Sequence, residues 1–476
     1  MELEVIIGLE IHAQILSKTK LFCSCSNDSF GKEPNSNVCP ICMAFPGMLP
    51  VINEEAVHKG TIAALALNCE IPQHSKFDRK NYFYPDLPPG YQISQYDEPV
   101  SKEGHLEISL DGVKKTIRIL RLHLENDAGK LTHTGQDTLL DFNRAGCPLM
   151  EIVSYPDMRG SKEARAYAEA IQQILRYCGS SSCDMEKGMM RFDASVSMRP
   201  VGEEKLYPRA EIKNLNSFRS LEMAIEYEIK RQGKLWEAGT PSATEQTVGW
   251  DDDRGTTVVM REKESAADYR YFPEPDLPPV EITEAQLTEW RKEVPEAPMQ
   301  KYERFLAEFG LAEAEARFFA SDIALANYFE EVAHQSKNNK TANSFVGTIL
   351  VKRLKDEGKW ISDSPITAAQ LAELIQLIDE GVISNNVAKS TVFDEMMKSG
   401  KNPKAIVEEQ GLVQKSDAGE IEEWCKAAIA ANPQAAADVK AGTMKALGSL
   451  VGMAMKESKG QANPKMVNEV LMKLLA

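Results

Sequence analysis

Residues Val5 to His12 read VIIGLEIH, and the alternation that closes this string decides the fold. In a strand, Glu10 and His12 fall on one face while Leu9 and Ile11 fall on the other, because successive side chains point to opposite sides. The same beat returns downstream. Over Ile117–Asp127, Arg121, His123, Glu125 and Asp127 share one face, and Leu120, Leu122 and Leu124 share the other. Between Arg191 and Arg199, Arg191, Asp193, Ser195 and Ser197 alternate with Phe192, Ala194, Val196 and Met198. Glu211 and Lys213 alternate around Ile212, and Glu151 follows Pro148-Leu149-Met150 inside an apolar stretch. Helical patterns interrupt these strands. One runs from about Ser161, read as an N-cap, to Cys178 before Gly179; another runs from about Ser220 to Arg231 before Gly233. Strands mixed with helices, without a regular βαβ beat, predict an α+β domain with an antiparallel sheet.

The polar face of these strands has an unusual inventory. A solvated sheet face also alternates polar with apolar residues, but it usually mixes Lys, Thr and Gln. Here the residues are carboxylates and imidazoles with interspersed Arg and Lys, the set that holds Mg²⁺ and a nucleoside triphosphate. Motifs of other nucleotide enzymes are missing. Neither G-x₄-G-K-[ST] nor G-x-G-x-x-G occurs, which disfavours P-loop and Rossmann enzymes. Gly179-Ser180-Ser181-Ser182 has no evident base beside it and reads as a loop, not a nucleophile.

Cys23-Ser24-Cys25 and Cys39-Pro40-Ile41-Cys42 give C-x-C followed by C-x₂-C across a short loop. Two close thiol pairs match a tetrahedral Cys₄ zinc site, closed and therefore structural. Cys69, Cys147, Cys178, Cys183 and Cys425 have no such partner and read as small core residues.

Composition and charge narrow the class. The chain has 476 residues, 43% hydrophobic and 26% charged, which predicts several domains and excludes wholesale disorder. No apolar run reaches membrane-span length; the longest, such as IAALAL at Ile62–Leu67, are core-helix sized. The start, Met1-Glu2-Leu3-Glu4, is acidic where a signal peptide is basic, and an odd count of nine cysteines fits reduced thiols in a cytoplasm. Net charge is −16, so any nucleic-acid contact needs a local basic patch. The segment Lys440–Ala476 supplies one, with six lysines against two glutamates, although a solvated helix face has the same look. From about Pro295 the pattern is helical, and Thr367-Ala-Ala-Gln370 makes a capping box for a helix ending at Gly381. NYFYPDLPP at Asn81–Pro89 and RYFPEPDLPP at Arg270–Pro279 echo each other, as an internal repeat or merely as two good turns.

Several strings carry a family resemblance: GLEIH at Gly8–His12, FDRKNYFYPDLPPGYQISQ at Phe77–Gln95, RLHLENDAGK at Arg121–Lys130, DFNRAGCPLMEIVS at Asp141–Ser154, AEIKNLNSF at Ala210–Phe218 and DYRYFPEPDLPP at Asp268–Pro279. With them the chain resembles the GatB family, the B subunits of bacterial aspartyl/glutamyl-tRNA amidotransferases. The likeness covers nearly the whole chain, including KGQANPKMVNEVL at Lys459–Leu471, which is similar to a small tRNA-binding domain at that family's C-terminus.

The resemblance implies a cradle domain over 1–293, similar to the catalytic fold of glutamine synthetase and guanidino kinases, then all-α domains over 294–405 and 406–476. It implies a cytoplasmic enzyme that uses ATP and Mg²⁺ to phosphorylate the side-chain carboxylate of misacylated Glu-tRNA or Asp-tRNA. Ammonia from a partner amidase (glutaminase) subunit then displaces phosphate, and a small third subunit clasps the two. Glu10, His12, Glu125, Glu151, Asp193 and Glu211 would form the metal and phosphate cluster, all but Asp193 as Mg²⁺ ligands. Lys80, Tyr82, Tyr84 and Asp86 would line the place where ammonia and the aminoacyl end meet. Zn²⁺ would sit on Cys23, Cys25, Cys39 and Cys42, and Lys445, Lys456, Lys459 and Lys465 would contact tRNA. Many relatives carry Lys where this chain has Pro89. The chemistry suits the residues: a carboxylate is a poor electrophile until phosphorylation turns its oxygen into a leaving group.

Overall fold

Alternating strands assemble into one eight-stranded sheet. In chain order its strands are β1 (Leu3–Gln14), β2 (Ser101–Leu110), β3 (Val113–Asn126), β4 (Pro148–Ser154), β5 (Met190–Pro200), β6 (Ala210–Leu215), β7 (Glu245–Asp251) and β8 (Thr256–Lys263). Their spatial order is β8-β7-β6-β5-β1-β4-β3-β2, antiparallel throughout except for the β6–β7 pair. The fold is a computed structural model that describes residues 2–263, 269–414, 418–441, 443–458 and 461–475. It divides into two units, Met1–Pro298 and Met299–Ala476. Both are consistent with an α+β chain having a large, mostly antiparallel sheet and many helices.

Helices cover one face of the sheet. Ile7, Leu9 and Ile11 of β1, Leu122 and Leu124 of β3, Ile152 of β4 and Phe192 and Val196 of β5 pack in a single core with α2 (Ser161–Tyr177) and α3 (Phe218–Glu237). In α2 the buried residues Ala164, Tyr167, Ala168, Ile171 and Leu175 recur at helical spacing and make one apolar stripe. Each large side chain fully buried there contributes about 1.5–3 kcal/mol. Helix α1 (Glu54–Ala66) approaches β3 so closely at Gly60 that a Cβ would lie 2.6 Å from the Leu124 side chain. The opposite face of the central strands is thereby left for polar groups.

Three local expectations change. Leu120 does not join Leu122 and Leu124 in the core: it is 37% exposed, whereas Ile117 and Ile119 are buried. A bulge in the pairing between Ile119 and Arg121 inserts one residue and switches the phase of β3. Helix α2 has Gly160 as its N-cap, and the Ser161 hydroxyl instead donates to Glu226. Helix α3 is capped by Ser217, which accepts from the Ser220 N–H, and runs through Gly233 because Gln232 is anchored on the Val196 carbonyl.

A three-stranded sheet made from Asp78–Asn81, Tyr91–Ser94 and Phe272–Pro273 joins the two echoing strings, with Arg79 opposite Phe272. Asn126, at the end of β3, fastens it: its Oδ1 accepts from the Ile93 N–H, and its carbonyl accepts from the Gln92 amide.

The second unit is helical throughout its described residues. One cluster centres on Phe305, Phe329, Phe345 and Phe393 and extends to Ile406 and Val407. Another runs from Ile421 to Leu475. The Thr367–Gln370 capping box forms as expected, ahead of a helix over Ala368–Asp379, and Gly381 follows at φ +71°. No helix among the described residues is long and apolar enough to cross a membrane.

Candidate active site

Strand register assembles the site. Across β4, β1 and β5, His12 lies opposite both Glu151 and Arg191; one pleat along, Glu10 lies opposite Asp193. His123 of β3 faces Glu151 from the other side. A slip of one residue on any strand would send its member into the apolar core, so the hydrophobic pattern fixes this polar row.

Two groups form within it. In the first, His12 Nε2 lies 3.3 Å from Glu151 and 3.8 Å from Glu125, while His123 Nε2 lies 3.6 and 3.7 Å from the same two carboxylates. The ligand atoms of His12, Glu125 and Glu151 lie within 4.8 Å of one another, close enough to share a cation. Glu125 also accepts from the Ser94 hydroxyl. In the second group, Lys213 Nζ meets Asp193 at 2.7 Å, Glu211 at 2.6 Å and Glu10 at 3.9 Å. Asp193 additionally accepts from the Asn214 N–H, pinning a residue at φ +59° beside the bulge in the β5–β6 pairing. The structure thus gathers His12, Glu125 and Glu151 as a trio, and sets Glu10, Asp193 and Glu211 around an ammonium.

Charges tune both groups. Burial works against ionised Glu125 and Glu151, yet His123, His12 and Lys80 outweigh it and hold both carboxyls below the ordinary range. Burial and the Arg191 charge oppose a protonated His12, but Glu151 and Glu125 prevail and raise its pKa. Glu10 is raised by burial and by Glu151, against the pull of Lys213. Burial likewise disfavours charge on Lys80, and Glu125 and Glu151 more than restore it.

Lys80 reaches the trio from the small sheet, its ammonium 5.1 Å from the Tyr269 ring centre and 6.0 Å from that of Tyr82. Tyr82 is half-buried and donates to Gln92. Asp86 is part-buried and faces Arg144, Asp127 and Arg191. Tyr84, in contrast, is 55% exposed. Behind the trio, Arg191 and Arg144 both lie against Asp127, at 3.4 and 3.3 Å. Three buried nitrogens there have no partner: His12 Nδ1, His123 Nδ1 and Arg121 Nε. Buried polar atoms left unpaired are rare, and these belong to β1 and β3, the strands that also carry His12, His123 and Glu125. Oxygen-rich donors suit a hard divalent cation, and Arg121, Lys80 and Arg191 suit phosphate.

The cysteine expectation concerns a different region. Cys23, Cys25, Cys39 and Cys42 place their sulfurs within 4.8 Å of one another, on a stretch without helix or extended strand. Side chains shape that stretch: Asn143 accepts from the Asn37 N–H and donates to the Glu33 carbonyl. Cys42 is lowered to about 5 by hydrogen bonding from Cys23, the Cys39 N–H and the Lys20 charge, whereas burial raises Cys25 to about 11. Four clustered thiols with one favoured as thiolate are the donor set of a closed zinc site. Ser180 and Ser181 are buried, and the Ser180 hydroxyl donates to the Lys59 carbonyl, a packing role.

Of the expected RNA contacts, Lys445, Lys456 and Lys465 are exposed, and Lys459 lies outside the described residues. His123, Arg191 and Lys213, which the alternation puts on the polar face among the groups suited to Mg²⁺ and phosphate, each meet carboxylates of the two groups or of Asp127 behind them. Tyr269 and Tyr271, within the DYRYFPEPDLPP string, join Lys80 at the site without having been among the expected site residues.

The chain is similar to known proteins over nearly its whole length. A GatB/GatE catalytic-domain family matches residues 5–288, and a GatB domain family matches 327–475. The B subunit of an aspartyl/glutamyl-tRNA(Asn/Gln) amidotransferase from Carboxydothermus hydrogenoformans is 49% identical, spanning 100% of this chain and 99% of its own. The protein of the same name from Caldicellulosiruptor saccharolyticus is 50% identical over 99% and 98%, and that from Persephonella marina is 49% identical over 100% of both.

Proposed function

The chain belongs to the GatB/GatE family, and from that premise we propose that its polar sheet face activates the side-chain carboxylate of Glu or Asp esterified to tRNA. Its relatives are named as B subunits of an amidotransferase, and in that role the chain would work with a partner amidase (glutaminase) and a small third subunit, in the cytoplasm. The γ-phosphoryl group of ATP moves to a carboxylate oxygen and ADP leaves. Ammonia then forms the C–N bond as the C–O bond to phosphate breaks, and a proton from nitrogen passes to a base.

His12, Glu125 and Glu151 would hold Mg²⁺, which when bound offsets the charge of the reacting phosphates. The chain's own residues do the rest. His123 orients both carboxylates through their oxygens, and Ser94 holds Glu125 in place. Lys80, kept cationic by Glu125 and Glu151, would bind the incoming carboxylate or the phosphoryl oxygens. Lys213 fixes Asp193 and Glu211 and keeps Glu10 beside the trio, where Glu10, with its raised pKa, is suited to take a proton from the attacking nitrogen. Tyr82 and Asp86 border the approach of ammonia and the aminoacyl end, with Tyr84 further toward solvent.

Four thiols would hold a structural Zn²⁺ that braces the 23–42 stretch against Asn143. The sheet and its covering helices would form a cradle similar to the catalytic fold of glutamine synthetase and guanidino kinases. A helical domain would follow, ending later than the expected residue 405 because Ile406 and Val407 pack in its core and Leu412 against it, and the tail beyond it would bring Lys445, Lys456, Lys459 and Lys465 to the RNA backbone.

The observation that carries this reading is the buried His12–Glu125–Glu151 trio, close enough to share a cation, in a chain that matches an amidotransferase B subunit over its whole length. The test incubates the assembled complex with ATP, glutamine and misacylated tRNA, then identifies the amino acid released from tRNA by mass. Glutamine or asparagine is expected. Unchanged glutamate and aspartate, with ATP intact, would refute it.

A further inference from the structure

Tyr96 and Tyr271 lie face to face, with ring centres 4.3 Å apart and planes within 9°. Tyr96 follows the strand Tyr91–Ser94 and Tyr271 precedes Phe272–Pro273, so both rise from the small sheet that carries Lys80. Tyr269 abuts Tyr271 edge-on at 6.1 Å. The stack has two different sides. Toward the trio, Tyr271 is half-buried, and its hydroxyl is pushed up to about 12, by burial and by the nearby Glu151 and Glu125 against Lys80. Toward solvent, Tyr96 is 50% and Phe272 44% exposed, and these rings line an open groove of about 720 Å³ with Lys76 and Asp97.

Charge in this groove is nearly balanced. Lys76 is held by Asp78 at 2.7 Å and by Asp97 at 2.5 Å, and with Arg270 also on the lining the two cations match the two acids, so the groove has no net charge to draw a phosphate. What it offers is π surface. A ring already ordered by its stacked neighbour loses little freedom when a flat ligand lands on it. Such platforms bind nucleobases in single-stranded nucleic-acid sites, where stacking needs no hydrogen-bond readout.

We propose that the Tyr96–Tyr271 groove seats an adenine ring on the exposed face of Tyr96, directing the attached ribose past Tyr271 toward Lys80, Glu125 and Glu151. This rests on the activity proposed above, which brings two adenosines to the site: that of ATP and the 3′-terminal one bearing the amino acid. Both present the same chemistry, and the experiment separates them.

Equilibrium titrations on the assembled complex would use ATP, a tRNA acceptor-stem hairpin ending in adenosine, and the same hairpin without that nucleotide. Tyr96→Ala is expected to raise Kd about tenfold for either ATP or the complete hairpin, while Tyr96→Phe, which keeps the ring, stays within about twofold. Weakening of ATP alone assigns the seat to the nucleotide; weakening of the complete hairpin alone assigns it to the RNA terminus. Unchanged affinity for both, with an unchanged unfolding midpoint, overturns the seat. Should the alanine variant fold poorly, 2-aminopurine in place of each adenine reads the wild-type complex directly. Binding with quenching by the tyrosine stack is expected, and binding of both probes without quenching overturns the proposal. These are binding measurements, so a failure of amidation itself shows separately in the mass assay.

Discussion

The acid–imidazole trio and the four-thiol loop are both tight groups of metal-type ligands, yet they are ordered by opposite means. His12, Glu125 and Glu151 stand on three neighbouring strands, where backbone hydrogen bonds and a buried apolar face set their positions. Cys23, Cys25, Cys39 and Cys42 come from one irregular stretch of chain, tied down by Asn143 and by the sulfurs themselves. The first group would keep its shape with one ligand altered; the second depends on its ligands for shape. Loss of chemistry without loss of fold, against loss of fold with chemistry largely kept, is the contrast to test.

The largest effect is expected from Glu125→Gln. A neutral amide in the buried trio weakens a hard-cation site and leaves Lys80 and both imidazoles without half their counter-charge. ATP-dependent amidation by the assembled complex should fall by at least about 10²–10³-fold, with the partner's glutaminase active and the unfolding midpoint little changed. Turnover like the wild type would break the contrast at its chemical end.

Cys39→Ser with Cys42→Ser tests the other end. Elemental analysis should find one zinc per chain in carefully handled wild type and none in the variant, with the midpoint lowered by about 5–10 °C. Amidation at low temperature should largely survive. A stable variant devoid of activity would move the thiols from bracing to catalysis.

The two groups also differed in how far the sequence disclosed them. Thiol spacing is local, so C-x-C and C-x₂-C marked all four of the thiols that cluster. Alternation revealed which face Glu10, His12, Glu125 and Asp193 share, because period two survives wherever one side of a strand is buried. It revealed neither the partition into a trio and a Lys213-centred group, which depends on which strands are neighbours, nor the bulge before Arg121 that exposes Leu120. Lys80 and Tyr271 reach the trio from a separate small sheet, a juxtaposition made by long-range folding that no local pattern encodes.

A smaller effect would sharpen the contrast by asking whether RNA binding depends on the acidic face or on the tail. A chain ended at Gln414 keeps the helical cluster that includes Ile406 and Val407 whole and removes Lys445, Lys456, Lys459 and Lys465. In complex with its partners, it should bind tRNA about tenfold more weakly. Each lost phosphate contact should flatten the log–log salt dependence by somewhat under one unit. An unchanged affinity and slope would move the RNA-binding surface off the tail.

The smallest effect concerns a half-buried ion group. In the second unit Glu330 receives Lys301 at 3.0 Å and Arg304 at 2.7 Å, and Lys301 also donates to Asn327. Here two firm cations enclose one acid, whereas in the trio two acids share two imidazoles and Lys80. Burial raises the Glu330 carboxyl, but Arg304 and Lys301 lower it further, to about 2 from an ordinary 4.5. A depressed carboxyl stabilises the fold above its unfolded value, so this contribution is complete above about pH 4.5 and is lost as pH falls toward 2. Because the group is partly exposed, solvent screening keeps it at about 1 kcal/mol or less. Unfolding midpoints between pH 6 and pH 2 should therefore decline less steeply for Glu330→Gln than for the wild type, with amidation at neutral pH unaffected. Parallel pH profiles would show that the cations contribute nothing here, and the line between ion groups that hold the fold and ion groups that serve the chemistry would need another basis than their charge balance.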